Sequence, residues 1–437
     1  LRDFAWAPLA AALLFPCAAQ AEDGKLDVSF EVRARVEAID GQFRPGVVES
    51  DVALLTRLLL AAEYDAGPIR IGGEVIDARS FFERRGSSVS TTEVDTLEPI
   101  QAYIATDVSD QAKLIAGRFT LNLGSRRLVA RNAFRNTINS FTGVQAVLGD
   151  QKRGATLFWM LPQARLPDEA DRLGDNGFAI NRERGAPRFF GAYGHSRLGG
   201  YGEVQISLLR LAERDHAEIL TRNRRLWTAD LRLVRMPKAG SFDWDMEGAY
   251  QWGRARQSTA ASDVLDRSVA AGFVHAEAGY TFRPGWQLRP ALGLDYGSGD
   301  GSSSKFTRFD PLYSARGFDF GPTSYYGALS RTNIVSPFAR LDMKPGRRSD
   351  AQATLRPLWL ASATDQFAVT GVRDAAGSAG KWAGVQIDAR VRRTLTENLK
   401  LAVGALLLAK GRFLEDAANA PDTGDTHFGY VELSATF

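Results

Sequence analysis

Between Lys25 and Ala38 the chain alternates with a period of two: Leu26, Val28, Phe30, Val32, Ala34 and Val36 share one parity, and Asp27, Ser29, Glu31, Arg33, Arg35 and Glu37 take the other. Successive side chains of a strand point to opposite faces, so one face of this strand wants hydrocarbon and the other wants water. The same split returns in SFDWDMEGAYQW, where Trp244, Met246, Tyr250 and Trp252 oppose Asp243, Asp245, Glu247 and Gln251, and again in GVQIDARVRRT, where Val385, Ile387 and Val391 oppose Gln386, Asp388, Arg390 and Arg392. A soluble sandwich would bury its apolar face and leave the polar face outside. Ladders as fully charged as these suit a wet interior instead.

Read with this template, the sequence carries eighteen strand segments, near 25–38, 52–64, 69–79, 97–106, 113–123, 142–149, 153–161, 187–195, 201–211, 225–236, 241–252, 269–282, 286–296, 332–343, 350–362, 383–395, 399–409 and 428–437. An even number of strands of about 9 to 14 residues is what a closed antiparallel membrane barrel requires. The connections fall into short turns, such as 65–68, 236–240 and 283–285, and long polar loops at 80–96, 124–141, 162–186, 297–331 and 411–427. Short turns on one rim and long loops on the other predict an all-β transmembrane barrel. The stretch GSGDGSSSK (297–305) reads as a flexible surface loop.

Composition agrees with this class. In 437 residues there are 42 Gly, 10% aromatic and 24% charged residues, with a net charge of +3. That is too polar for a helical membrane bundle, and no basic tail of the kind that grips nucleic acid is present. Arg2, the run AWAPLAAALLF and then PCAAQA, with Ala19 and Ala21 at the positions a signal peptidase reads, predict a signal peptide over 1–21 and one barrel domain over 22–437. The single cysteine, Cys17, would leave with it. Disulfides and thiolate metal sites are then excluded from the mature chain. The last segment, FGYVELSATF, alternates and stops on Phe437. It resembles the C-terminal strand signal read by the bacterial barrel-insertion machinery, an expected partner together with outer-membrane lipid.

Two stretches go beyond a generic barrel. GRFTLNLGSRRLVARNAFRNTINSFTGV (117–144) resembles the motif of the alginate-export family of outer-membrane proteins, in which a G-R strand start leads to L-G-x-x-R-L-V and then to an aromatic-R-N-T and F-x-G-V. FDPLYSARGFDFG (309–321) resembles that family's F-D-P-L-Y segment, and GGEVIDAR (72–79) and EPIQAYI (98–104) look like its early strands. The resemblance implies a monomeric eighteen-stranded barrel and, in at least one member, export of the polyanion alginate through an arginine-rich pore. Periplasmic export components are partners it suggests.

By parity, Arg33, Arg35, Arg57, Arg118, Arg289, Arg356, Arg390 and Arg392 face inward. Arginine suits an anion path because its planar fork is weakly hydrated and pairs carboxylates bidentately. The expected selectivity set is Arg57, Arg118, Arg131, Arg289, Arg356 and Arg392, with Glu432 as an acidic partner; Arg118 and Arg131 rest on the family-like motif. Asp243, Asp245 and Glu247 lie about 6 to 7 Å apart along one strand face, too far for the three to share one cation. They are expected to form a wall opposite the arginines. FDPLY is expected to fold into the lumen, and Phe119, Leu121 and Leu123 to face lipid, as are Trp227, Trp244, Trp252, Trp286 and Trp359. His195, His216, His275 and His427 are scattered without metal-ligand spacing, and no nucleophile, nucleotide or cofactor motif is present. Neither a catalytic role nor a cofactor is expected. The function expected is a channel for an anionic polysaccharide or oligosaccharide, the alternatives being an uptake porin for small anionic saccharides or organic acids and a barrel receptor or adhesin.

Overall fold

The computed structural model describes residues 20–21, 24–183, 187–215, 220–283, 285–301 and 304–437. The expected signal peptide, apart from residues 20–21, lies outside the described residues, as does His216.

Eighteen antiparallel strands form the wall: β1 (Gly24–Asp40), β2 (Asp51–Asp65), β3 (Ile69–Phe81), β4 (Asp95–Ser109), β5 (Ala112–Phe119), β6 (Phe141–Gly149), β7 (Arg153–Ala164), β8 (Arg188–Arg197) and β9 (Glu203–Ala212) in the first half. The second half holds β10 (Arg225–Arg235), β11 (Ser241–Ala255), β12 (Arg267–Thr281), β13 (Arg289–Gly297), β14 (Ile334–Gly346), β15 (Ser349–Trp359), β16 (Trp382–Thr394), β17 (Leu399–Lys410) and β18 (Thr426–Thr436). Each strand pairs with the next, and β18 returns to β1 with Val431 opposite Val36 and Leu433 opposite Ala34. The sheet has no free edge. Backbone bonds between Phe437 and Phe30, 2.9 and 3.0 Å, extend the seam to the last residue. A closed barrel satisfies every wall amide internally, which the bilayer interior demands. Among the described residues no helix is long and apolar enough to cross a membrane.

The alternation works as the sequence predicts. Arg33, Arg35 and Glu37 are buried inside the barrel, while Val28 and Val36 remain about half exposed on the outer wall. Met246, Tyr250, Ile387 and Val391 are likewise exposed outward, where lipid covers them. Trp252 and Trp286 are exposed on the same face, and Trp227 stacks on Trp252 at 6.4 Å.

Two expectations fail at the long-loop rim, for one reason: the loops fold into the barrel. β5 stops at Phe119 rather than 123, and Phe119, Leu121 and Leu123 are buried instead of facing lipid. They join Leu128, Phe141, Phe189, Phe273 and Phe309 in an apolar cluster inside the wall. The start of GSGDGSSSK is no surface loop either, since Asp300 is buried and its amide donates to Asp365 at 2.8 Å; Ser302 and Ser303 lie outside the described residues. A second lumenal cluster gathers Phe43, Phe320, Tyr326, Phe367, Phe413 and Phe428 from other loops and the wall beneath them.

Candidate functional site

The lumen is narrowed by two inward segments, the β5–β6 loop (120–140) and the β13–β14 loop (298–333). The first turns back at Gly124 and Arg126, both at positive φ, 47° and 69°, with the Arg126 amide donating to the Leu123 carbonyl at 2.8 Å. The second lies alongside it. Ala130 donates to the Tyr313 carbonyl, Tyr313 to Leu128 and Ala315 to Arg126, each at 3.0 Å. Phe141 and Phe189 of the wall press on the Tyr313 ring at 5.3 and 5.2 Å. FDPLY therefore enters the lumen, as expected, through pairing with the arginine-rich segment.

Charge holds the pair in place. Arg127 donates to both oxygens of Asp319, at 2.8 and 3.0 Å, and its remaining nitrogen reaches Glu247 at 2.7 Å and Asp245 at 3.1 Å on β11. Arg331 also pairs with Asp319 and donates to the Ala315 carbonyl at 2.8 Å. Arg356 joins Asp295 at 2.7 Å to the Asp319 carbonyl at 3.0 Å. Burial alone would raise the pKa of Asp319, but Arg127 and Arg331 hold its carboxyl well below the usual carboxylate range. Cations also crowd where the β1–β2 loop meets the β13–β14 loop: burial and a neighbouring guanidinium push Arg44 and Arg316 down to about 10.

The opposite wall also grips the first loop. Arg33 donates to the carbonyls of Ala133 and Arg135 at 3.0 and 2.8 Å, Arg57 to the same two at 2.8 and 3.1 Å, and Arg35 to Phe134 at 2.9 Å. Arg131 reaches back to Glu74 on β3 with two bonds of 2.8 and 2.6 Å.

The structure thus brings Arg57, Arg131 and Glu432 together with Arg33, Arg35, Glu31 and Glu74, Glu432 lying 3.1 Å from Arg35 and 3.8 Å from Arg33, and sets the other expected residues apart from them. Arg118 pairs with Glu98 and caps the Pro99 carbonyl at 2.9 Å. Arg289 binds Asp243 and Asp342. Arg356 is buried. Arg392 stands at the short-turn rim, about half exposed, on Asp350 at 2.9 Å. Asp243, Asp245 and Glu247 do not face the arginines across the lumen: Asp243 is paired with Arg289, Asp245 with Arg232 at 2.6 Å, and Glu247 with Arg127. Neighbouring strands and the inward loop lie closer than the far wall, and a nearby guanidinium wins. Among the described residues no cluster of His, Cys, Asp and Glu is arranged to hold a metal ion. His275 instead bonds Asp295 at 2.7 Å.

Parity gives Arg127, Asp319 and Arg331 no role, because loops have no parity to read; Arg127 and Asp319 do lie in the two family-like motifs, LGSRRLV and FDPLYSARGFDFG. Arg126 is exposed and meets only the face of Phe318, at 5.0 Å, with no carboxylate partner among the described residues. Arg390, inward on β16, is also without a hydrogen-bond or ion-pair partner there.

The sequence profile of the alginate export family matches residues 25–425. The chain belongs to the alginate export family. No curated protein sequence matches it. Among solved structures, this family member resembles Acinetobacter baumannii OccAB1 at TM-score 0.62 and 11% identity, covering 94% of this chain and 96% of that one. It resembles Pseudomonas aeruginosa OpdK with vanillate at TM-score 0.60 and 12% identity, and P. aeruginosa OccK2 (OpdF) in complex with glucuronate at 0.58 and 15%, each over 94% of this chain and 98% of that one. These likenesses show the fold. This member of the family is an outer-membrane channel protein, its short turns periplasmic and its long loops external as in barrels of this class.

Proposed function

We propose that this channel conducts an anionic saccharide, an alginate-like polymer or oligomer moving outward through an arginine-lined lumen. The observation that carries this reading is Arg126, an exposed guanidinium on the inward segment with no carboxylate partner among the described residues. A carboxylate squeezed through a narrow lumen loses part of its hydration, and arginine replaces that hydration with charge-assisted hydrogen bonds. Release is needed as much as binding. Arg57, Arg118, Arg131, Arg289, Arg356 and Arg392 each sit beside an acid, so none would hold a passing carboxylate at full strength.

Uptake of small carboxylates is the second reading. It is favoured by the likeness to barrels crystallised with glucuronate and vanillate, both carboxylates. Planar-bilayer reversal potentials test the shared core of both readings. Wild type should prefer anions, and Arg126→Ala and Arg390→Ala should weaken that preference. Cation preference in wild type would overturn the proposal. Block by polyuronate but not by neutral dextrin favours the saccharide polymer over a general anion porin.

A further inference from the structure

The periplasmic mouth holds a cavity of about 870 Å³ between the ends of β14 to β18, and its cations are unlike those deeper in the lumen. Lys344, Arg347, Arg348 and Lys400 line it, and none of them has a hydrogen-bond or ion-pair partner for its side chain among the described residues. Among the described residues the only paired cation on its wall is Arg392, held by Asp350. Lys344, Arg392, Lys400, Glu432 and Ser434 stand on the inward parity of their strands, so the cavity opens into the lumen rather than onto lipid.

The β1 to β4 side of the mouth is different. There Lys25 is tied to Asp27 at 3.1 Å and Arg70 to Asp107 at 2.6 and 2.7 Å, with Asp65 and Asp110 on the adjoining turns. The cavity side of the rim therefore attracts anions and the β1 to β4 side does not. The basic side also continues inward. Glu432 lines the cavity and accepts from Arg35 at 3.1 Å, which joins it to the arginine wall, and unpartnered Arg390 lies one inward position above Arg392.

We infer that this cavity captures the end of a uronate chain on the periplasmic side and feeds it into the lumen. The inference deepens the proposed function and rests on it. Free lysines and arginines in a concave mouth raise the local concentration of a polyanion and turn its leading carboxylates toward the path, at a cost in salt sensitivity. Free cations suit this task better than paired ones, because no internal carboxylate has to be displaced. The β1 to β4 side of the rim, with its paired cations and its extra acids, offers a polyanion no such landing.

The test is sided block of single channels by a hexameric oligogalacturonate, with maltohexaose as the neutral control and orientation fixed by cleavage of a tag in an external loop. In wild type, block from the periplasmic side should be about tenfold stronger than from the external side at low salt, and should fade as salt rises. The variant Lys344→Gln/Arg347→Gln/Arg348→Gln/Lys400→Gln should lose that sidedness. Arg347→Gln/Arg348→Gln alone, confined to an exposed turn, should lose part of it. Lys238→Gln, on a turn outside the cavity, should keep it. Equal block from both sides in wild type, or sidedness that survives the fourfold variant, overturns the capture site. A wild-type channel that prefers anions yet shows no sidedness fails this inference while sparing the proposed function; one that prefers cations fails both.

Discussion

Arg127 and Asp319, 192 residues apart, clasp two loops from different strand pairs through a pair of hydrogen bonds, 2.8 and 3.0 Å long, inside the barrel. Both side chains are almost fully buried. Breaking a buried pair by removing one partner leaves a desolvated charge and costs about 3 to 5 kcal/mol. Asp319→Asn should therefore loosen both inward segments at once, since Arg127 and Arg331 each lose their shared acid. The expected result is larger single-channel conductance, noisier open states and faster cleavage of the 298–333 loop by added protease, in a barrel that still shows heat-modifiable migration. Unaltered conductance and noise would mean that the apolar contacts of Tyr313 hold the segments without the clasp.

Acid should do reversibly what that substitution does permanently. Burial raises the pKa of Asp319, and the stronger effect of Arg127, Arg331 and nearby His275 lowers it well below its ordinary value. For a carboxyl whose folded pKa is depressed, the stabilisation is complete above the unfolded pKa, about 3.9, and is lost as pH falls through the folded value. Conductance noise should be flat from neutral pH to about 4 and should rise below it. Asp319→Asn should start noisy and change less over the same range; an equal acid response in the variant would assign the effect to other carboxylates.

How much of this could be read from the chain follows from where periodicity exists. Strand parity alone places Arg33, Arg35, Arg57, Arg289 and Arg356 inside, because a period of two fixes the face of every residue once one is known. It could not say which acid each would meet. Asp243 meets Arg289 from 46 residues away, a choice made by sheet register. Phe119, Leu121 and Leu123 show the opposite limit: an alternating apolar run looks the same whether its partner is lipid or a lumenal cluster, and here the loops supply the cluster. The Arg127–Asp319 clasp shows the same limit: the family-like motifs contain both residues, but neither lies on a strand whose register could pair them.

Gly117 sets the direction of Arg118. Its φ is 122°, open to glycine and costly for other residues, and a Cβ there would sit 2.9 Å from the Cα of Tyr103 on the paired strand. Gly117→Val should cost about 1 to 2 kcal/mol from the backbone conformation alone, with the clash added, and should disturb the Arg118–Glu98 pair beside it. A lower temperature for the heat-modifiable gel shift is the readout. A shift temperature equal to that of wild type would show that β5 can relax without cost.

Arg131 and Glu74 offer a test of sign. The pair is bidentate, with bonds of 2.8 and 2.6 Å, and Gln101 donates to the same carboxylate at 2.7 Å, so each charge is held in place by the other. Glu74→Gln removes the acid and leaves a guanidinium to attract a passing anion; Arg131→Ala removes the cation and leaves an acid to repel it. One unit charge about 8 Å from an ion in water is worth about 0.5 kcal/mol, a factor of about two in relative permeability. Reversal potentials measured in a salt gradient should therefore move in opposite directions for the two variants, toward anions for Glu74→Gln and away from them for Arg131→Ala. Shifts of the same sign would show that the substitutions act by moving the inward loop, and the charge of this pair would then have no direct part in selecting the solute.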